Sequence, residues 1–112
     1  MVDYIDQTSN TAYFYGNQAG YVQNFDNIVV IRPKHIFLPI KPLNMRKITI
    51  FNHSGDIITI DSNFKNDLIY NSSYSPNGSK TVTLENNRMV ILTFVCDFTT
   101  APRNGTWYMN HT

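Results

Sequence analysis

The residue types that most often carry out chemistry are few in this 112-residue chain and lie far apart in its sequence. None of the three histidines, His35, His53 and His111, has a cysteine or a second histidine at the spacing that zinc ligands require. The sequence also contains no glycine-rich phosphate-binding loop and no Gly-x-Ser-x-Gly motif. We therefore expect no metal, no cofactor and no catalytic residues, and we predict that the chain is not an enzyme.

Cys96 and the aspartates Asp56, Asp61 and Asp67 are the remaining candidates for reactive groups. Cys96 lies in an apolar run without an activating neighbour, which is typical of an inert core thiol. A single cysteine also excludes an internal disulfide and fits a reducing compartment. The aspartates could approach one another around a loop, but solvated turn residues explain them better.

The charge composition indicates which kinds of partner the chain could bind. The formal net charge is +1, and no run of lysine or arginine suggests a nucleic-acid surface. Only 15% of the residues are charged, so the polar surface consists mainly of neutral Asn, Ser and Thr. Such a surface suits a subunit that partners largely cover. A genome that favours Asn and Ile codons is the alternative explanation, and the composition does not decide between them.

Two features of the chain concern secretion and membrane insertion. Asp3 and Asp6 stand where a secretory signal would begin, so we expect no signal peptide and synthesis in the cytoplasm. The longest apolar run, Met89 to Phe98, is too short and too polar at its ends to span a membrane as a helix.

That same run is the segment around which the other elements are expected to assemble. It is rich in β-branched and aromatic residues, which favours a strand over a helix. Alternate residues such as Val90, Leu92 and Phe94 form one wholly apolar side, and the other side is mostly apolar. A strand of this kind is expected to be covered on both faces.

Further short strands are predicted on either side of this run, and turn residues separate them. The candidates are Ala12–Tyr15, Gly20–Phe25, Ile28–Ile31, His35–Leu38, Lys47–Phe51, Ile57–Ile60, Thr81–Leu84 and Thr106–Met109, with a looser segment from Phe64 to Tyr74. No stretch shows a helical period over ten residues. The predicted fold class is therefore all-β, an antiparallel β-sandwich or a jelly-roll-like small barrel.

The turns and the alternation predict the pairing and the core. Asn52 to Gly55 is expected to close a hairpin between its flanking strands, and Pro76-Asn77-Gly78 is a second strong turn signal. Asn86-Asn87 is a third turn, because Asn tolerates left-handed backbone angles. The predicted core residues are Ile48, Ile50, Ile58, Ile60, Val82, Leu84, Leu92, Phe94 and Trp107.

The first 26 residues differ from the rest, so the predicted domains are an N-terminal arm at 1–26 and a β-sandwich domain at 27–112. The arm lacks steady alternation but is rich in aromatic residues, and such segments often become ordered on a partner. The candidate interface residues are Tyr13, Phe14, Tyr15, Tyr21 and Phe25. The alternative is that these residues line the edge of the domain's own core.

From Leu38 to Met109 the sequence resembles the small β domains of viral fibre, spike and capsid-associated proteins. The segments that carry the resemblance are Leu38-Pro39, Arg46 to Gly55, Ile57 to Ile60, Val82-Thr83-Leu84, Met89 to Val95 and Gly105 to Tyr108. In that family the Gly-Trp ending packs the last strand over the core, which implies this role for Trp107. The chain lacks the heptad or collagen-like repeats of a long fibre shaft.

The resemblance implies a structural protein of the virion that acts by protein–protein assembly, as a minor capsid, cement or decoration protein or a short spike or fibre subunit. The expected partners are other virion proteins, in a homo-oligomer, with a trimer possible, or in a larger shell. Neither nucleic acid nor a membrane span is expected. The alternative function is a host glycan- or receptor-binding module, in which exposed Tyr, Trp and Asn side chains bind a sugar.

Overall fold

The computed structural model describes residues 3–64, 67–71, 75–97 and 104–111. All regular elements in these ranges are β-strands, so the all-β prediction is confirmed. The strands are β1 (Tyr4–Asp6), β2 (Thr11–Phe14), β3 (Gly20–Tyr21), β4 (Asn27–Val30), β5 (His35–Phe37), β6 (Lys47–Asn52), β7 (Ile58–Asp61), β8 (Leu68–Asn71), β9 (Ser75–Ser79), β10 (Thr81–Leu84), β11 (Met89–Asp97) and β12 (Asn104–His111). Phe98, the last residue of the predicted central run, lies outside the described residues.

These strands form two sheets that share one hydrophobic core. The large sheet has eight strands in the order β1-β2-β4-β6-β11-β12-β8-β9, and the small sheet has four in the order β10-β7-β5-β3. Both sheets contain parallel and antiparallel neighbours. The prediction of a purely antiparallel fold was therefore wrong.

The parallel pairs result from a regular winding of the first half of the chain. From β2 to β7 the strands alternate between the large and the small sheet, so that each large-sheet strand is followed by a small-sheet strand. Consequently β2, β4 and β6 lie side by side and parallel in the large sheet, and β3, β5 and β7 do the same in the small sheet. The chain makes three turns of a coil whose interior is the core.

This winding also corrects the predicted hairpins. The turn at Asn52 to Gly55 connects β6 in the large sheet to β7 in the small one, so these strands do not pair. The turn before β11 likewise carries the chain between sheets, and Asn87 there has a φ of 62°, the predicted left-handed conformation. A short turn permits a hairpin but does not require one, because it can also connect facing sheets.

The second half of the chain closes the structure with antiparallel pairs. β11 pairs with β6 on one side and with β12 on the other, and β10 pairs with β7 in the small sheet. β8 lies parallel to the far side of β12. The predicted Pro76-Asn77-Gly78 turn falls within β9, so this turn prediction was wrong, although Gly78 does have a φ of 76°.

The core consists of in-register rows of alternate side chains. One row runs from Ala12 to Ile28 to Ile50, and a small-sheet row runs from Ile36 to Ile60. All nine predicted core residues are buried. Parallel stacking of aliphatic side chains removes large apolar areas from water, which is the main favourable term in folding.

The N-terminal residues belong to both sheets, in contrast to the predicted arm. β2 pairs with β4 over its whole length, and β3 pairs with β5. Ala12, Phe14 and Val22 are fully buried in the same core as the later strands. Residues 11–22 are therefore part of the folded unit.

Candidate functional site

The five predicted interface residues lie on different surfaces of the molecule. Tyr13 is half-buried and Tyr15 is 44% exposed, next to each other on the large sheet. Phe14 points inward and is fully buried, so it belongs to the core and not to an interface. Tyr21 is exposed on the small sheet, and Phe25 is partly buried against the core. The structure thus brings together only Tyr13 and Tyr15 of the predicted set.

Tyr13 is one member of a row of apolar residues that crosses five strands on the outer face of the large sheet. Direct register pairs join the neighbours in this row from β1 through β2, β4 and β6 to β11. The members are Tyr4, Tyr13, Val29, Phe51 and Met89, and we call them the outer stripe. Side chains on one face of adjacent in-register strands lie about 5 Å apart, so the stripe is continuous.

The rings in and beside the outer stripe pack against one another. The ring centroids of Tyr4 and Tyr13 are 5.2 Å apart and those of Tyr13 and Tyr15 are 6.5 Å apart. At the other end, Phe51 stacks on the imidazole of His53 with centroids 5.6 Å apart. These contacts restrict the rings before any partner binds, and rigid aromatic side chains lose little entropy in an interface.

β11 extends this apolar surface. Its inward residues Val90, Leu92 and Phe94 are buried as predicted, although Cys96 is only half-buried. On the outward side Met89 and Val95 are exposed and Ile91 is half-buried. The sequence predicted a strand covered on both faces, whereas the described residues cover only one face. The outward face of β11 therefore exposes more apolar side chains than is usual for a surface that stays in contact with water.

The surroundings of the outer stripe are polar but largely uncharged. The next row of register partners contains Thr11, Asn27 and Thr49. Asp6 at its end accepts hydrogen bonds from Thr8 and Ser9, and the Thr8 hydroxyl contributes most to lowering the pKa of this carboxyl. Neutral polar residues around an apolar centre are typical of protein interfaces.

The outer face of the small sheet carries a separate polar cluster. Nε2 of His35 lies 3.5 Å from Oδ2 of Asp61, and Nζ of Lys80 lies 2.8 Å from Oδ1. Partial burial alone would raise the pKa of Asp61, but hydrogen bonds from Lys80 and from the N–H of Asn63, the charge of Lys80 and the contact with His35 outweigh it and lower the pKa. The Asp61 carboxylate, on β7, therefore contacts both His35 on β5 and Lys80, the residue before β10.

Asp67 and Cys96 line a cavity of about 340 Å³ at one end of the core. Asp67 is almost fully buried, and its Oδ1 accepts a hydrogen bond of 3.1 Å from the Gly105 N–H. Burial raises the pKa of Asp67 in spite of this bond. Cys96 is a free, half-buried thiol. Asp56, Asp61 and Asp67 have separate partners, so they form no common site.

Of the outer stripe the sequence identified only Tyr13; it missed Tyr4, Val29, Phe51 and Met89. Phe51 follows the buried Ile50 in an alternating strand, which places it on the outer face. Its alignment with Tyr13 depends on the parallel order of β2, β4 and β6, and no local pattern indicates that order. The outer stripe was therefore visible only after the strands had been placed in their sheets.

Within the described ranges, no group of three or more His, Cys, Asp or Glu side chains is arranged to hold a metal ion. No helix among those residues is long and apolar enough to cross a membrane. Comparisons with known proteins give no match: no protein-family model fits the sequence, and no curated protein and no solved structure is significantly similar to it.

Proposed function

We propose that this chain is a structural protein of a virus particle, a minor capsid, cement or short spike subunit that acts by protein–protein assembly. The virion setting comes from the sequence resemblance alone. The observation that supports assembly is the outer stripe, an apolar and mainly aromatic row across five strands. Contiguous apolar surfaces of this kind mark sites of protein interaction.

The proposed interface has the composition of a binding surface. Aromatic residues and methionine are enriched in interface centres, and charged residues are depleted there. Tyr4 is 53% exposed and Tyr15 is 44% exposed, so both can lose substantial area to a partner. Because the stripe is built on paired strands, little backbone rearrangement is needed before a partner docks.

The fold supports the same proposal. The two sheets share one core, and the larger of them, with eight strands, carries the outer stripe on its outer face. A second copy of the chain, or another virion protein with an apolar face, would cover the stripe and the outward residues of β11. Self-association into a dimer or trimer is the simplest such arrangement.

The experiment introduces a charge into this surface and measures the molar mass of the chain by light scattering and sedimentation. Tyr4→Asp should shift the oligomer toward monomer, because Tyr4 is a stripe residue that is 53% exposed and a carboxylate must lose its water to enter an apolar interface. Tyr21→Asp is the matched control, since Tyr21 is 47% exposed but lies on the small sheet, away from the stripe. A chain that is monomeric at all concentrations, or that responds equally to both substitutions, would contradict self-assembly through this face.

A further inference from the structure

A groove of about 490 Å³ lies where the three parallel strands of the small sheet end. Because β3, β5 and β7 run in the same direction, the residues that follow them meet at one edge of the sheet. The described residues that line the groove are Tyr21, Gln23, Asn24, Phe37, Leu38, Pro39, Ile40 and Asn63. The groove is on the opposite sheet from the outer stripe and is large enough for a small ligand.

One wall of the groove is a stack of rings. The Tyr21 and Phe37 rings are 4.9 Å apart and nearly parallel, with an interplanar angle of 15°. Phe37 also stacks on the imidazole of His35 at 4.6 Å, so it is held between two rings. Tyr21 stands at the end of this stack and is 47% exposed. The stack therefore presents a fixed aromatic surface with a hydroxyl at its tip.

The polar groups of the groove are side-chain amides. Gln23, Asn24 and Asn63 line it, and within the described part of the chain their side-chain amides take part in no hydrogen bond. Each amide can donate and accept hydrogen bonds, as sugar hydroxyls do. None of the described lining residues is charged, so the groove favours a neutral ligand over an ionised one.

Several contacts hold the groove in shape. The Arg46 guanidinium donates to the carbonyl oxygen of Gln23 at 3.0 Å and to that of Phe25 at 2.8 Å. On the other side, the Asn63 N–H donates to Oδ1 of Asp61 at 2.8 Å. Gln23 and Asn63 both have positive φ angles, 52° and 68°. Uncommon backbone angles fixed in this way are frequent in ligand-binding loops, and a preformed site loses less entropy on binding.

We propose that this groove binds a neutral saccharide. The apolar face of a sugar ring stacks on Tyr21, while the amides of Asn24 and Asn63 exchange hydrogen bonds with its hydroxyl groups. A purely structural role explains the partial burial of Phe37, but it explains neither the exposed end of the stack nor the presence of three side-chain amides along one groove. This activity is independent of assembly through the outer stripe, because it uses the other sheet.

The test measures binding of galactose, glucose, N-acetylglucosamine and lactose by ligand-observed NMR and calorimetry, with N-acetylneuraminic acid as the charged comparison. At least one neutral sugar should bind in the millimolar range or tighter, and more tightly than the charged one. Tyr21→Ala should weaken binding about tenfold or more, which is the size expected for loss of a stacking residue. Tyr108→Ala is the matched control and should leave binding unchanged.

Asn24→Ala is the second variant. The Asn24 side chain is exposed and forms no hydrogen bond with the described residues, so its loss should leave the melting temperature unchanged while binding weakens severalfold. The oligomeric state of both groove variants should match that of the unmodified chain, which separates this site from the proposed interface. Absence of binding by every neutral sugar, tighter binding of the charged sugar, or unchanged binding by Tyr21→Ala would overturn the proposal.

Discussion

Asp67 is a buried carboxyl whose Oδ1 accepts a hydrogen bond from the backbone N–H of Gly105. Burial raises the pKa of Asp67 in the folded state above its ordinary value. A raised folded-state pKa means that the folded chain binds more protons than the unfolded chain between the two pKa values. Stability from this group is therefore present at low pH and is lost as the pH rises through the folded pKa.

The substitution Asp67→Asn tests the direction of this pH dependence of stability. The neutral amide retains an oxygen that can accept the Gly105 N–H, but it avoids the cost of burying a charge. We expect the variant to have a higher melting temperature than the parent chain at neutral pH, with the difference shrinking as the pH falls from the raised folded-state pKa to the ordinary pKa of an aspartate. Thermal melts across this range provide the measurement. A difference that grows on acidification would show that the carboxylate is stabilised in the fold.

Phe94 is a second residue whose contribution to the free energy of unfolding depends on its surroundings. It is 3% exposed, its ring centroid lies 5.1 Å from that of Trp107, and it covers Gly105, where a methyl group would overlap the Phe94 ring. Phe94→Ala should lower the free energy of unfolding by about 3–5 kcal/mol, because a large cavity would remain. Chemical denaturation measures this loss. Phe51→Ala, on the half-buried outer face, is the control and should lose less; equal losses would contradict the assignment of these faces.

The turn between β6 and β7 is held by the polar side chain of Asn52. Asn52 is fully buried; its amide donates to the carbonyl oxygens of Asp56 and Leu84 at 2.8 Å each, and its Oδ1 accepts from Ser54. These bonds join the turn between the sheets to the end of β10. The turn residues at Asn52 to Gly55 therefore form a connection between the two sheets. The buried Asn52 amide fixes the conformation of this connection through its hydrogen bonds.

Asn52→Ala should lower the free energy of unfolding by roughly 1–3 kcal/mol, because the buried Leu84 carbonyl would lose this donor. Asn86 offers a control in the same region, since its Oδ1 accepts the Gly55 N–H at 2.8 Å on an exposed surface. Asn86→Ala should cost less, because water can replace that bond. Denaturant unfolding of both variants gives the comparison, and a larger loss for Asn86→Ala would be inconsistent with the burial of Asn52.

The molecule as a whole depends on its N-terminal turn of the coil. β2 covers the edge of β4, and Phe14 supplies one of the largest side chains of the core. If residues 1–26 were an arm outside the fold, they could be removed without unfolding the rest of the chain. The position of β2 and β3 in the two sheets leads to the opposite expectation.

Deleting residues 1–20 should therefore abolish cooperative unfolding, because it removes β2 with the buried Phe14 and leaves that edge of β4 unpaired. Near-ultraviolet circular dichroism and the thermal transition report the outcome. Deleting only residues 1–9 is the control: it removes β1, whose Tyr4 and Ile5 are exposed, and should leave a cooperative transition. A folded product of the longer deletion would show that the later strands are sufficient for the core.

The sequence predicted the strands better than their arrangement. The alternation around Ile48, Ile58 and Val82 identified strands and inward faces, because side-chain direction in a strand is a local property with a period of two. The ends of the strands were predicted less exactly: the predicted Gly20–Phe25 strand is reduced to β3, and the strand predicted at Thr106–Met109 is longer in the structure, as β12. Aromatic residues at positions 13 and 15 also indicated an exposed surface, whereas Phe14 between them followed the alternation into the core.

What the sequence alone determined is thus the strand class, the inward residues and the scarcity of chemical groups. Only the tertiary structure decided that β2, β4 and β6 lie parallel, that Tyr13 and Phe51 share a stripe, and that Tyr21, Asn24 and Asn63 meet in one groove. The physical reason is that a short alternating strand buries the same face whether its neighbours are parallel or antiparallel. The choice depends on how the whole chain winds between its two sheets, which no short segment specifies.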